Sequence, residues 1–311
     1  MSQVLSQRAD LALAGLTSNG GILSAEQNDR FIRLLIDQPT MIGLVRAVPM
    51  NAPEMKLNKI GFGSRILKVA PQGTVPYQAD DGTNDRYLLA ADRSAVTTSH
   101  INLTTKEIMA EVRIPYEVLE DNIERGDLQN TILTLIAERA ALDLEELLIK
   151  GDTASGDNYL ALMNGILKRI TSNVVDAASG TIALGTFNNL KKAIPTRYRR
   201  NMGAMRFFSS MDRESDYRVT VASRGTDLGD ALMTSNVPLP VLGVPLVSAA
   251  LMPNANIVLS DPKNVIFGVQ RNIRIEQDRD IRSREIIIVL TCRVGITIEE
   301  ETAMAKVINL G

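Results

Sequence analysis

The chain has 311 residues, 45% of them hydrophobic, with 34 basic and 36 acidic side chains, one Cys, one His and no Trp. A lone Cys292 excludes an intrachain disulfide, and one Cys with one His is too few for a Cys/His zinc site, which takes about three or four such ligands. A chain this long buries about 75% of the surface its unfolded form exposes, so its core needs neither metal nor cross-link.

Residues 1–23 read as an arm, a weak helix over 4–14 followed by Gly15, Asn19, Gly20 and Gly21. Arg8 and Asp10 interrupt that stretch, no small-residue cleavage site follows, and no 18 apolar residues run together anywhere. The expectation is a soluble chain made in a reducing cytoplasm, without an export signal. Ser24 and Gln27 form a capping box for a helix with Phe31, Leu34 and Leu35 on one face, ending before Pro39.

Residues 44–48, 56–60 and 66–69 read as strands. Between 71 and 94, Gly73, Pro76, Asp80, Asp81, Gly82, Asn84 and Asp85 leave few apolar residues, which predicts a long two-stranded excursion with a polar tip. Alternation resumes over 97–114 and puts His100 on a strand surface rather than in a catalytic triad. Pro115 opens a short helix over 116–122, and Gly126 ends that unit.

The clearest element follows. Asp127 reads as an N-cap, residues 128–150 contain no Gly or Pro, and Gly151 stands where a left-handed C′ glycine belongs. At 1.5 Å per residue this rod is about 35 Å long. Leu128, Leu135, Leu142 and Ile149 recur every seventh residue, and Ile132, Ile136, Ala140, Leu144 and Leu147 widen the stripe. Arg139 and Glu146 break a second coiled-coil seam, so the spacing predicts a central rod with a sheet on one side and other elements on another. Residues 151–158 resemble a calcium loop only superficially, because Met163 stands where the bidentate Glu would be, and they read as a helix-stop loop.

Beyond Asn164 the signals alternate: helices over 187–194, 212–221 and 227–233, and strands over 206–208, 241–247, 256–259, 265–269, 273–276, 286–298 and 303–308. This predicts an α+β domain, with Cys292 as a small buried hydrophobe. The P-loop, G-x-G-x-x-G, G-x-S-x-G and H-E-x-x-H motifs are all missing from the sequence. The acidic neighbours Glu145–Glu146 and Asp80–Asp81 read as solvated faces. These failures argue against an enzyme, and the leftover enzymatic reading is a cytosolic catalyst using carboxylates alone.

The formal charge of −2 averages two opposed blocks. Residues 117–157 hold eleven acids and three bases, and residues 168–224 hold eleven bases and four acids. Singly these are solvated helix faces; as a pair they suit self-association, one copy's acids meeting another's bases. A nucleic-acid-binding module fits less well, because the sequence pI is about 5.7.

The order of elements resembles the major capsid proteins of tailed bacteriophages, the Hong Kong 97-type fold. The local matches are residues 141–152 with Gly156-Asp157-Asn158 and Gly165-Ile166-Leu167, the stretch 242–247 with Met252-Pro253, Gln277-Asp278-Arg279-Asp280, and residues 115–121. Together they cover about residues 25 to 310.

The resemblance implies an α+β capsid fold in four parts. These are an N-terminal arm (1–40), an extended β-hairpin loop (59–95), a peripheral domain (41–58, 96–158 and 266–299) with a spine helix at 127–150, and an axial domain (159–265 and 300–311). It implies a virion shell built of pentamers and hexamers of this chain in the host cytoplasm, enclosing double-stranded DNA held by nonspecific phosphate electrostatics. No membrane is involved. The implied partners are a portal and a decoration protein; with no scaffold of about a hundred residues expected at the N-terminus, either a separate scaffolding protein directs assembly or none is needed.

Some relatives cross-link a loop Lys to an Asn before the returning strand; Glu285-Ile286 fills that place here, so no such link is expected despite Lys59 and Lys68. Arg65, Asp80, Asp81, Arg86 and Arg93 in the loop, with Arg279 and Asp280 before the returning strand, are the expected intersubunit ion-pairing residues. No catalytic, cofactor or metal residues are expected. An encapsulin-like cellular compartment shares the fold and is the nearest alternative.

Overall fold

A computed structural model describes residues 39–62, 66–67, 96–120, 128–223 and 239–311. The arm, most of the extended loop, the Asp127 cap and the helix expected over 227–233 lie outside the described residues. The chain divides into two units, residues 54–103 and the remainder.

The smaller unit holds a two-stranded sheet of β2 (Glu54–Phe62) and β3 (Val96–Thr104). His100 is exposed on β3, as its alternating stretch predicts, in a shallow depression with Asn58, Ile60, Thr98 and Ser99.

The larger unit contains two sheets. The first has the order β1-β10-β11-β4, built from β1 (Arg46–Pro49), β4 (Lys106–Pro115), β10 (Val265–Asp280) and β11 (Glu285–Ile298). β1 runs parallel to β10 over four residues only, while β10, β11 and β4 pair antiparallel along their length. These three strands form a long ribbon, the tongue. Residues 265–269 and 273–276, which read as separate strands, are one strand with irregular register between Val269 and Arg274. The charges of its outer half hide the continuity.

The second sheet has the order β5-β12-β9-β6-β8-β7. Its strands are β5 (Val174–Asp176), β6 (Arg206–Ser209), β7 (Pro240–Val241), β8 (Val244–Ser248), β9 (Ile257–Ser260) and β12 (Ala305–Ile308). The single strand expected over 241–247 is a hairpin: Leu242 and Gly243 take φ of +51° and +80° and turn the chain.

Helices α1 (Tyr116–Glu120), α2 (Leu128–Lys150), α3 (Ile166–Arg169), α4 (Leu184–Ala193), α5 (Thr196–Arg199) and α6 (Met211–Ala222) complete the fold. The rod α2 has the expected bounds, but its burial is graded along its length as well as around it. Leu142, Leu144, Leu147, Leu148 and Ile149 are buried, whereas Thr134, Glu138 and Arg139 are exposed. Its buried end lies in a cluster that joins both sheets, with Phe208 and Val258 from one and Val294 and Ile296 from the other. A second cluster under α4 and α6 sets the Phe187 ring edge-on to Phe207 and Tyr217, centroids 4.9 Å apart.

Gly151 is required for a reason other than the left-handed cap the sequence suggests. The chain crosses itself there: the Gly165 N–H donates to the Gly151 carbonyl at 2.8 Å, and a Cβ on Gly151 would stand 2.4 Å from the Met163 carbonyl oxygen. Among the described glycines only Gly243 has a positive φ. In the loop that follows, the Asp152 carboxylate accepts from the Ala154 N–H and Lys168, and Asp157 accepts from the Tyr159 N–H, so both carboxylates fix turns.

Candidate assembly surfaces

The period of two along β11 sorts the tongue into two faces. Ile286, Ile288, Leu290 and Cys292 are buried. Ile286 and Ile288 pack with Ile114 and Val118 against Ile132, Leu133 and Ile136 of α2. Burial pushes the Cys292 thiol above its ordinary range, in keeping with a small core hydrophobe.

The opposite face carries charge in cross-strand rungs: Asp278–Ile287–Arg113, Glu276–Val289–Glu111 and Arg271–Arg293–Glu107. Glu107 lies between two guanidinium groups, 2.7 Å from Arg293 and 2.5 Å from Arg271. Arg293 and then Arg271 hold its carboxyl below the usual range. Arg274 pairs with Glu276 at 2.8 Å, and Arg113 with Glu111 at 2.7 Å. Bases and acids interleave here, leaving a narrow apolar seam of Ile287 and Val289 between them.

The tongue ends in a turn that Asp280 organises. Its carboxylate accepts the N–H groups of Arg282 and Ser283 at 2.9 and 3.3 Å and the Ser283 hydroxyl at 2.9 Å. The Ser283 hydroxyl and those N–H groups keep its carboxyl below the usual range. Arg284 takes φ of +56°, and its carbonyl accepts from the Tyr116 N–H. Ile281, 84% exposed, sits at the apex.

Arg279 and Asp280 therefore stand at a hairpin tip rather than in an open connection, and their roles differ. The Asp280 carboxylate is engaged within its own turn, while the exposed Arg279 side chain makes no bond among the described residues. Arg65, Asp80, Asp81, Arg86 and Arg93 lie outside the described residues.

Glu145 corrects the reading of a solvated acidic pair. It is 1% exposed, and its Oε1 accepts from the Met41 N–H at 3.2 Å and the Thr40 hydroxyl at 3.3 Å. Met41 itself is 1% exposed in the cluster that joins the sheets. The carboxylate thus clasps residues 40–41 onto the rod. Desolvation pushes its pKa up, opposed by these hydrogen bonds, and its Oε2 is buried without a partner among the described residues. Glu146 pairs with Lys150 on the rod surface at 3.0 Å.

The Glu107 cluster and the Glu145 clasp were missed in the sequence. Charges at even spacing in β4 (Glu107, Glu111, Arg113), which share one face of a strand, carried a signal for the first; nothing in sequence marked the second.

Two sheets that share a core cluster with the end of one long helix, a charged three-stranded tongue and a separate two-stranded unit define the Hong Kong 97-type capsid fold, shared by shell-forming subunits. Its nearness to solved structures is near full length: the capsid of a native GTA particle aligns with a TM-score of 0.68 over 97% of this chain and 100% of that one, at 16% identity. The SrpI encapsulin of Synechococcus elongatus PCC 7942 aligns with a TM-score of 0.61 over 98% and 96%, at 14% identity. In sequence, the prophage capsid protein YqbE of Bacillus subtilis (strain 168) is 42% identical over 99% of both chains. The phage capsid family model matches residues 20–308. The chain belongs to the phage capsid family and is a capsid structural subunit.

Proposed function

We propose that this chain is the major capsid protein of a tailed phage or prophage, assembling through pentamers and hexamers of itself into an icosahedral head that encloses double-stranded DNA. Its work is contact rather than catalysis. The observation that carries this reading is the 42% identity to a prophage capsid protein across 99% of both chains. An encapsulin shares the fold at 14% identity only, so the viral reading is preferred. Assembly in the host cytoplasm, with scaffold, portal and decoration proteins as partners, follows from the same reading.

The division of the fold supports the domain roles. The first sheet falls within the peripheral segments 41–58, 96–158 and 266–299, apart from the first residue of β10, with α2 as the spine. The second sheet falls within the axial segments 159–265 and 300–311. The separateness of residues 54–103 supports an extended loop at 59–95 that rests on a neighbour. Arg65, Asp80, Asp81, Arg86 and Arg93 would pair across subunits from that loop, and Arg279 from the tongue tip.

Electron microscopy of the expressed full-length chain, alone and with scaffolding protein, tests the reading. Closed shells or capsomer rings are expected. Monodisperse monomers under every scaffold and salt condition would refute it.

A further inference from the structure

Between residues 177 and 211 the chain has no acidic side chain, yet it has Lys191, Lys192, Arg197, Arg199, Arg200 and Arg206. All six lie on the connection from the end of α4 to the start of β6. Leu190 and Ile194 are fully buried and anchor that connection, and Pro195 ends the helix, so the bases are carried on its outward side. Lys192, Arg197 and Arg200 are exposed.

Among the described residues, none of the six forms an ion pair. Lys191 donates to the Leu242 carbonyl at 3.1 Å, Arg199 to the Thr196 hydroxyl at 3.1 Å, and Arg206 to the Gly203 and Met205 carbonyls. The Arg197 guanidinium stacks 4.5 Å over the Tyr198 ring, and the Arg199 Nε is buried without an acceptor among the described residues. Several acids among the described residues have partners of their own. Glu301 accepts the Thr171 and Ser172 N–H groups, Glu300 accepts the Thr302 hydroxyl, Asp216 pairs with Arg213, and Glu214 pairs with Arg218.

Part of the acidic block that could meet these bases in a second copy is already engaged in its own chain. Asp143 pairs with Arg139 at 2.9 Å, Glu146 with Lys150 at 3.0 Å and Asp152 with Lys168 at 2.9 Å, and Glu145 is buried. A surface of one sign suits a partner of uniform opposite charge, whereas a protein partner is better matched by interleaved signs that set register.

We propose that the 191–206 connection is a contact site for the phosphate backbone of nucleic acid, recognised by charge and not by sequence. Guanidinium forks and lysines bind phosphate oxygens without reading bases. The proposal rests on the shell reading, which supplies the enclosed polymer, and it puts this end of the second sheet toward the lumen.

The test compares the full chain with its Lys192→Gln/Arg197→Gln/Arg200→Gln variant, titrating unassembled subunits with a short DNA duplex of arbitrary sequence over a range of salt. Three lost phosphate contacts should make the slope of log K against log salt shallower by roughly 2.7, at about 0.9 per contact. Shells should still form. An Arg113→Gln/Arg274→Gln variant, which removes positive charge from the tongue, should leave the slope unchanged. An unchanged slope in the first variant, or an equal change in the second, would overturn the site while leaving the shell reading intact. Loss of shells with an unchanged slope would assign the connection to a second copy instead. Failure of the unaltered chain to form shells would overturn the shell reading, and the lumenal placement with it.

Discussion

The outer face of the tongue and the 191–206 connection are both rich in arginine, and they use it in opposite ways. On the tongue each guanidinium at 113, 271, 274 and 293 has a carboxylate within about 3 Å, so the face is near neutral but strongly patterned. On the connection, among the described residues, no carboxylate pairs with a base, so the face is positive and unpatterned. Pattern specifies register, because a misaligned copy would set like charges against each other; uniform charge specifies only the sign of the partner. One molecule can thus present a surface for precise neighbours and another for an irregular polymer.

The contrast depends on the tongue being held rigidly by its inner face, and the largest expected effect tests that. Leu290→Ala, at a side chain 2% exposed, should cost about 2–5 kcal/mol in urea unfolding of the subunit. A cost near zero would show that the inner face does not hold the tongue.

A second carboxylate sharpens the difference between paired and unpaired charge. Glu145→Ala leaves the buried Met41 N–H unsatisfied and should cost about 1–3 kcal/mol, whereas Glu145→Gln keeps an acceptor and should cost less. The pH dependence has a definite sign. The folded-state pKa of Glu145 is raised, so its ionisation opposes folding at neutral pH, and that penalty is relieved as pH falls through the raised value. The difference between wild type and the Gln variant should therefore change on mild acidification, and a pH-independent difference would contradict the burial of the ionised group.

Glu107 behaves oppositely. Its folded pKa is lowered, so the stabilisation it provides is present above the ordinary carboxylate pKa and lost as pH falls through the lowered value. Glu107→Gln should lower Tm slightly at neutral pH, and the two proteins should converge in acid. Persistent divergence at low pH would show that the cluster acts by shape and not by charge.

The smallest effect belongs to the basic connection. Its Gln variant should unfold within about 0.5 kcal/mol of wild type, since exposed unpaired bases add little to the fold. A larger loss would mean that these bases serve the fold.

The rod was legible in sequence to the residue, because 23 residues without Gly or Pro leave no competing structure. The strands of β11 and β12 were legible because their burial follows their pattern. The outer end of β10 was not: beyond Glu276, the residues Gln277, Asp278, Arg279 and Asp280 are polar on both faces, so no alternation marks a strand that its partner alone specifies. The turn at Leu242-Gly243 was hidden by a Leu in the left-handed region, which turn residues rarely supply. Glu145 was missed because burial of a carboxylate depends on what folds over it, here residues 40–41 from over a hundred positions away. The charge blocks were legible in sign, but not which of their members pair within the chain, as Asp143, Glu146 and Asp152 do.

The central claim is that the two arginine-rich faces meet different partners. A cryo-electron microscopy map of the assembled particle, fine enough to place the subunit, tests it most directly. The tongue, with Arg279 and Ile281 at its tip, should lie against a neighbouring copy, and the 191–206 connection should lie on the lumenal side facing the enclosed polymer. A map that buries 191–206 against an acidic face of a neighbour and leaves the tongue in solvent would contradict it.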